Sequence, residues 1–338
     1  MASGFKTSSV QSGKVSGTSH SDFPVYVDLD RLGITTLAEA ESVRVYADSA
    51  KTTEWAREIV SATEMHVKVP SLTSTVEIFV DWDGVRADYA VGATYGRNAV
   101  WVDYEGVWHL GEAVNNSSDG YLDSTGNGNH GTGRSMALAA VDSPTGKGQD
   151  FDGAADGITV SSSGSIDAPT TNQKLTISSW IKKDAVGGTP QDYIVGGLNT
   201  YSIIHGYVRN TYELFSSGLR YTIGVVTDTD WNYIATSFDN SANTSISSVN
   251  GSNSTSSEGG SLSTASNNFI IGAASASNNF NGKISEVRVR SDVLSGNWFT
   301  TEYNNQNAEA TFWGTWTDAG GGGGGAAQAA RRGVIMMM

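Results

Sequence analysis

Apolar and polar side chains alternate with a period of two along much of this chain. Phe23, Val25, Val27 and Leu29 fall on one face, as do Val43, Val45 and Ala47, then Met65, Val67 and Val69, then Val76, Ile78 and Val80. Such alternation puts one face of an antiparallel sheet on a core and the other in water. Residues 35–41 read as a short helix between the first two strands. Trp101, Trp108 and Leu110 are expected to pack in a bridging segment, and further β-type runs follow at 157–160, 175–181, 231–238, 269–272 and 280–284. Turn formers separate them, so the pattern predicts an all-β protein.

Composition narrows the class. Only 17% of the 338 residues are charged, and aromatics make up 9%, which opposes wholesale disorder. The net charge is −14 and the 21 Lys and Arg are scattered, so no basic patch for nucleic acid is present. An acidic surface suits calcium or neutral sugars, and equally plain solubility. Cysteine is absent, which excludes thiol nucleophiles and thiolate metal sites. No run approaches the ~18 apolar residues of a membrane span, and the first residues lack the apolar stretch of a secretory signal.

Two resemblances organise the chain. Asp22-Phe-Pro-Val-Tyr-Val27, Ser42-Val-Arg-Val-Tyr46, Met65-His-Val-Lys-Val-Pro-Ser-Leu72 and Ser74-Thr-Val-Glu-Ile-Phe-Val80 resemble a small β-domain that often precedes laminin-G-like jelly rolls. Asp81-Trp-Asp-Gly84 departs from that family's usual continuation. Beyond it, Val107-Trp-His-Leu110, the loop Asp119–Gly131 and Gly282-Lys-Ile-Ser-Glu-Val-Arg-Val-Arg290 resemble a concanavalin A-like jelly roll of the laminin-G-like kind. The implied organisation is an N-terminal arm over 1–21, a small β-sandwich-like domain over 22–105 and a jelly-roll sandwich over 106–310. A Gly-rich linker and tail occupy 311–338, with six glycines from Gly320 to Gly325.

Enzymatic branches of the jelly-roll family carry acids spaced Glu-x-Asp-x-x-Glu, and no Glu here is followed two residues later by Asp. A Gly-x-Ser-x-Gly elbow is also missing, and the histidines at 20, 66, 109, 130 and 205 show no His-Glu-x-x-His spacing. The expectation is a protein that is not an enzyme, with His109 packed or at a rim. Asp123, Asn127 and Asn129 either offer calcium hard oxygens or satisfy their own backbone in a turn, with Glu286 a further oxygen from across the fold. Trp180 and Trp231 match framework positions.

For glycan binding the candidates are Tyr193, Tyr201, His205, Tyr207, Arg209 and Tyr212. Tyr201, Ile203, His205 and Tyr207 alternate, so they share one sheet face, either a stacking surface for sugars or an ordinary core strand. Residues 275–281 form a second candidate rim. The resemblance implies a non-enzymatic virion surface protein, such as a fibre, tail appendage or head decoration, that adheres to glycans or a host surface in multiple copies. The C-terminal tail is then a docking peptide for other virion subunits, or a frayed end. A spacer subunit without ligand, and a secreted bacterial adhesin or accessory carbohydrate-binding module, are the alternatives.

Overall fold

A computed structural model describes residues 3–185, 192–197, 200–205, 211–216, 219–257, 260–273 and 278–320. Its strands pair antiparallel throughout the described sheets, and helices are few and short. The first unit packs two sheets. One runs in the order Thr317–Asp318, Gly4–Ser9, Glu77–Trp82, Arg44–Tyr46, Glu54–Trp55; the other is His20–Asp28, Glu64–Leu72, Arg57–Ile59. Alternation does what period two requires. Phe23, Val25 and Val27 stand opposite Val69, Val67 and Met65, and all six are fully buried. The expected helix appears as Leu37–Glu41, its N-terminus capped by the Thr36 hydroxyl accepting from Glu39 N.

The second unit is a sandwich of a seven-stranded and an eight-stranded sheet, the jelly roll the resemblance implied. Trp108, Leu110, Phe151, Ile158, Leu175, Ile177, Tyr201, Phe269, Ile284 and Val289 lie in the core between them. Strand Asn281–Arg290 holds a central place in the larger sheet, flanked by Lys174–Lys183, Lys147–Asp152 and Gly106–Trp108.

The two units are not beads on a linker. One continuous core joins Val25, Val67 and Val80 of the first to Trp180, Tyr233 and Ala235 on the outer face of the eight-stranded sheet. Helix Gly296–Asn307 fills the seam with Trp298 and Phe299, and Phe312 and Trp313 follow it into the same core. Asn305 binds Tyr26 through both amide atoms, taking its N–H at 2.6 Å and donating to its carbonyl at 3.0 Å. That satisfies the free edge of strand His20–Asp28. Within the segment assigned to the arm, residues 4–9 form a sheet strand; Trp298 and Phe299, from the span assigned to the jelly roll, and Phe312, Trp313 and Trp316, from the start of the tail, pack in the first unit's core. The docking role assigned to the tail concerns residues outside the described set.

Candidate functional site

Where the units meet, five titratable side chains converge. Glu58 comes from strand Arg57–Ile59, Glu64 and His66 from Glu64–Leu72, His109 from just past Gly106–Trp108, and Glu286 from Asn281–Arg290. Glu64 and His66 sit two apart, so both project from the face opposite Met65, Val67 and Val69. That polar face meets the jelly roll instead of water, and all five side chains are buried.

A β-bulge aims Glu286. Along the last strand Ile284, Val287 and Val289 point into the sandwich, an interval of three and then two. The register against Lys174–Lys183 shifts at the same place, Ser178 facing Arg288 and Trp180 facing Ser285. Glu286 takes φ 53°, left-handed backbone that a bulge position tolerates. Glu286 and Arg288 therefore both leave the sandwich on its outer face.

His109 Nδ1 lies 2.5 Å from Glu286 Oε1 and its Nε2 lies 3.0 Å from Glu58 Oε2. His66 Nε2 lies 3.2 Å from Glu64 Oε1, and the two imidazoles stack with centroids 4.8 Å apart. Glu58 also accepts from Trp101 Nε1 at 2.5 Å and Ser124 Oγ at 2.6 Å. Arg288 donates to Glu286 Oε2 at 2.6 Å and to Glu302 Oε1 at 2.6 Å, with its guanidinium over the Trp101 ring. A Cβ at Gly146 would collide with the Glu64 carboxylate, so glycine there lets the 143–147 turn close over the cluster.

Burial and charge set the protonation states. Burial pulls His109 down, but the Glu286 and Glu58 carboxylates overcome it and hold the imidazole well above its ordinary value. Burial drives Glu64 well upward, and the Glu286 charge adds to it. Glu286 itself is depressed: burial opposes this, yet His109 and Arg288 outweigh burial. His66 is lowered by burial. A buried charge persists only when paired, which is what these bonds arrange.

Glu58, Glu64 and His109 of the cluster line a cavity of about 660 Å³. Arg57, Arg97, Tyr89, Glu58, Glu64 and Glu112 line it, with His109 at its base and Val91 and Leu122 at its rim. Val91 is 53% and Leu122 47% exposed, which is unusual for apolar side chains beside buried acids. Glu112 is raised by burial.

The residues singled out from sequence lie elsewhere. Tyr201 and Ile203 do share a face, but it is the sandwich interior: Tyr201 is 1% exposed and its hydroxyl donates to the Ile166 carbonyl at 2.7 Å. Tyr212 is in the same core, and Tyr193 is buried with Ile204 and Ile270 on the other face. None of these three rings has a face free for a sugar, because burial had already taken it. His205 closes strand Tyr201–His205 opposite Tyr212, while Tyr207 and Arg209 lie outside the described residues. Trp180 is fully buried at the seam, and Trp231 is half-buried, donating to the Asp142 carbonyl.

The calcium candidates form a turn that satisfies itself. Asp123 is fully buried and accepts from the N–H groups of Val107, Thr125 and Asn129 and from the Thr125 hydroxyl. Asn127 and Asn129 donate their amides to the Glu105 carbonyl, and Asn129 Oδ1 accepts from Ser163. These bonds draw on both Asp123 oxygens and on Asn129 Oδ1, as in the turn that satisfies its own backbone. Glu286 lies in the seam cluster instead. Sequence reasoning passed over Glu58, Glu64 and His66, although the Glu64-x-His66 spacing and the broken alternation before Val287 were visible signals.

Residues 152–299 match the family described as the concanavalin A-like lectin/glucanases superfamily. No curated protein matches the chain. Among solved structures, domain 4 of AbnA, a GH43 extracellular arabinanase from Geobacillus stearothermophilus solved in complex with arabinotriose, is 19% identical. The match covers 59% of this chain and 97% of that one, with a TM-score of 0.44. The binding domain of Paraclostridial Mosquitocidal Protein 1 is 13% identical, over 58% of this chain and 52% of that one, at 0.44. A botulinum neurotoxin type C structure, whose cell entry depends on two ganglioside molecules, is 15% identical over 57% and 50%, at 0.43. The match spans about half the length of each toxin structure.

Proposed function

We propose that the protein is a non-enzymatic, lectin-like binder that takes a saccharide in the cavity at the seam of its two units, a reading supported by the match of residues 152–299 to the concanavalin A-like lectin/glucanases superfamily. The observation that carries this is the cavity's make-up. Its volume of about 660 Å³ falls within the ~300–1,000 Å³ of small-molecule sites. The Glu112 carboxylate accepts from sugar hydroxyls, Arg57 and Arg97 donate to them, and Tyr89, Val91 and Leu122 cover the apolar faces of a pyranose ring. That mixture of paired polar groups and apolar rim is how a pocket reads a polyhydroxylated ligand.

Binding without turnover is supported by how the deepest acids are committed. Both oxygens of Glu58 are taken, by Ser124, Trp101 and His109, and Glu286 is held by Arg288 and His109. A glycosidase acid or nucleophile has to reach the scissile bond, which these bonds oppose. The setting we assign is a virion surface, as a fibre, tail or head component, where many copies convert weak single-site contacts into avidity.

A glycan array on the whole chain tests the reading. Saturable hits that disappear in Arg97→Ala and Leu122→Asp are expected. Hits unchanged by both substitutions, or release of reducing ends from a bound polysaccharide, would overturn it. Purified particles lacking the chain would remove the virion setting alone.

A further inference from the structure

We propose that Glu64, His66, His109 and Glu286 hold a single zinc-class divalent ion that staples the first β unit to the jelly roll. The four groups present one donor atom each, and all these atoms lie within 4.8 Å of one another. His66 Nε2 is 3.2 Å from Glu64 Oε1 and 3.8 Å from Glu286 Oε1; His109 Nδ1 is 3.8 Å from Glu64 Oε1 and 2.5 Å from Glu286 Oε1. A tetrahedral zinc with ligands at about 2.0–2.1 Å sets its donors about 3.3 Å apart, a spacing these pairs straddle. To admit the ion the His109–Glu286 contact opens by less than an ångström, and the wider pairs of the set, which reach 4.8 Å, close in.

Three features beyond proximity point to an ion. Nitrogen and oxygen donors in equal number suit zinc, and less well suit calcium or magnesium, which take oxygens. His109 turns its second nitrogen to Glu58 at 3.0 Å, the carboxylate–histidine support that orients metal-bound imidazoles. Glu286 is steadied in the same way by two bonds from Arg288. Finally, Glu58, Glu64, Glu286 and Glu302 are buried around one guanidinium, that of Arg288, so that without an ion the excess negative charge is met by protons on His109 and Glu64. A divalent cation cancels most of that excess where protons would otherwise have to.

The ligands explain why a staple belongs there. Two come from strand Glu64–Leu72 of the first unit and two from the jelly roll, so one ion closes a contact between distant parts of the chain. The inference does not depend on what occupies the cavity above it. Binding at a site of this kind releases protons and adds to the stability of the fold.

The full chain, freed of metal with chelator, is titrated with zinc sulfate by calorimetry, and its melting temperature is followed. One equivalent per chain and a rise in melting temperature are expected, with affinity at least ~10-fold weaker in Glu64→Gln and in His66→Gln. His130→Gln, outside the cluster, should leave both unchanged. Should His66→Gln fail to fold, cobalt substituted into the wild type and into Glu64→Gln decides. Intense tetrahedral visible bands in the former, lost in the latter, support the site, whereas weak octahedral bands overturn it. Substoichiometric uptake by the wild type means that protons alone balance the cluster, and undiminished affinity in Glu64→Gln means that the ion binds elsewhere; either overturns the proposal.

Discussion

Arg288 Nη1 donates to Glu302 Oε1 at 2.6 Å, and neither side chain is more than 3% exposed. The bond ties the closing strand of the jelly roll to helix Gly296–Asn307, while Nη2 of the same guanidinium holds Glu286. Tyr233 adds its hydroxyl to Glu302 Oε2 at 2.7 Å, and Trp180 donates to Gln306 one turn on, at 2.6 Å. A polar chain therefore runs along the seam, fully inside the protein.

Removing its hub should be costly. Arg288→Ala leaves Glu286 and Glu302 buried without their cation, and breaking such a pair costs about 3–5 kcal/mol. Urea unfolding of the variant should show a loss of that order. A loss below about 1 kcal/mol would mean that water reaches the seam.

Tyr201 provides a check on the sugar reading. Its hydroxyl bond to Ile166 is an ordinary buried one, so Tyr201→Phe should cost about 1 kcal/mol and leave any saccharide affinity unchanged. Tyr201→Ala should cost about 3–5 kcal/mol through the cavity it leaves. Selective loss of glycan binding in a folded Tyr201→Phe would relocate the ligand to the jelly-roll sheet.

Rim and core should separate cleanly. Val91→Asp and Leu122→Asp change exposed side chains and should move stability by no more than about 0.5 kcal/mol. Both should nevertheless abolish saccharide binding measured by calorimetry, because a charge replaces the apolar lip of the cavity.

Glu309 makes a pH prediction. Burial pushes it up to about 7 from an ordinary 4.5, and the Arg31 guanidinium 2.6 Å away only partly offsets this. A raised folded value means its stabilising contribution is complete below pH 4.5 and is lost as pH climbs through about 7. Melting temperatures over that window should fall for the wild type, and the Glu309→Gln variant should lack this component of the fall.

Much of the architecture is written in local pattern. Phe23, Val25 and Val27, or Met65, Val67 and Val69, are strand faces by alternation alone, and Thr36 caps a helix by its side chain. Period two says that two faces differ; it does not say what lies against the second one. The Glu64 and His66 face reads as wet in sequence and is dry in the fold, because strand Asn281–Arg290 arrives more than 200 residues later. In the same way Tyr201 and Ile203 are a correct pair on the inner side of their sheet.

The site shows the division most clearly. Residue type and spacing determined the β class and the absence of the Glu-x-Asp-x-x-Glu acids, and the family resemblance implied the jelly roll. Only tertiary structure decided that Glu58, Glu64, His66, His109 and Glu286 would meet, since they come from four strand regions and a bulge turns the last of them outward. Hydrophobic periodicity is a local property of a strand. The neighbour that covers its polar face is chosen by the packing of whole layers, and no short stretch of chain contains that information.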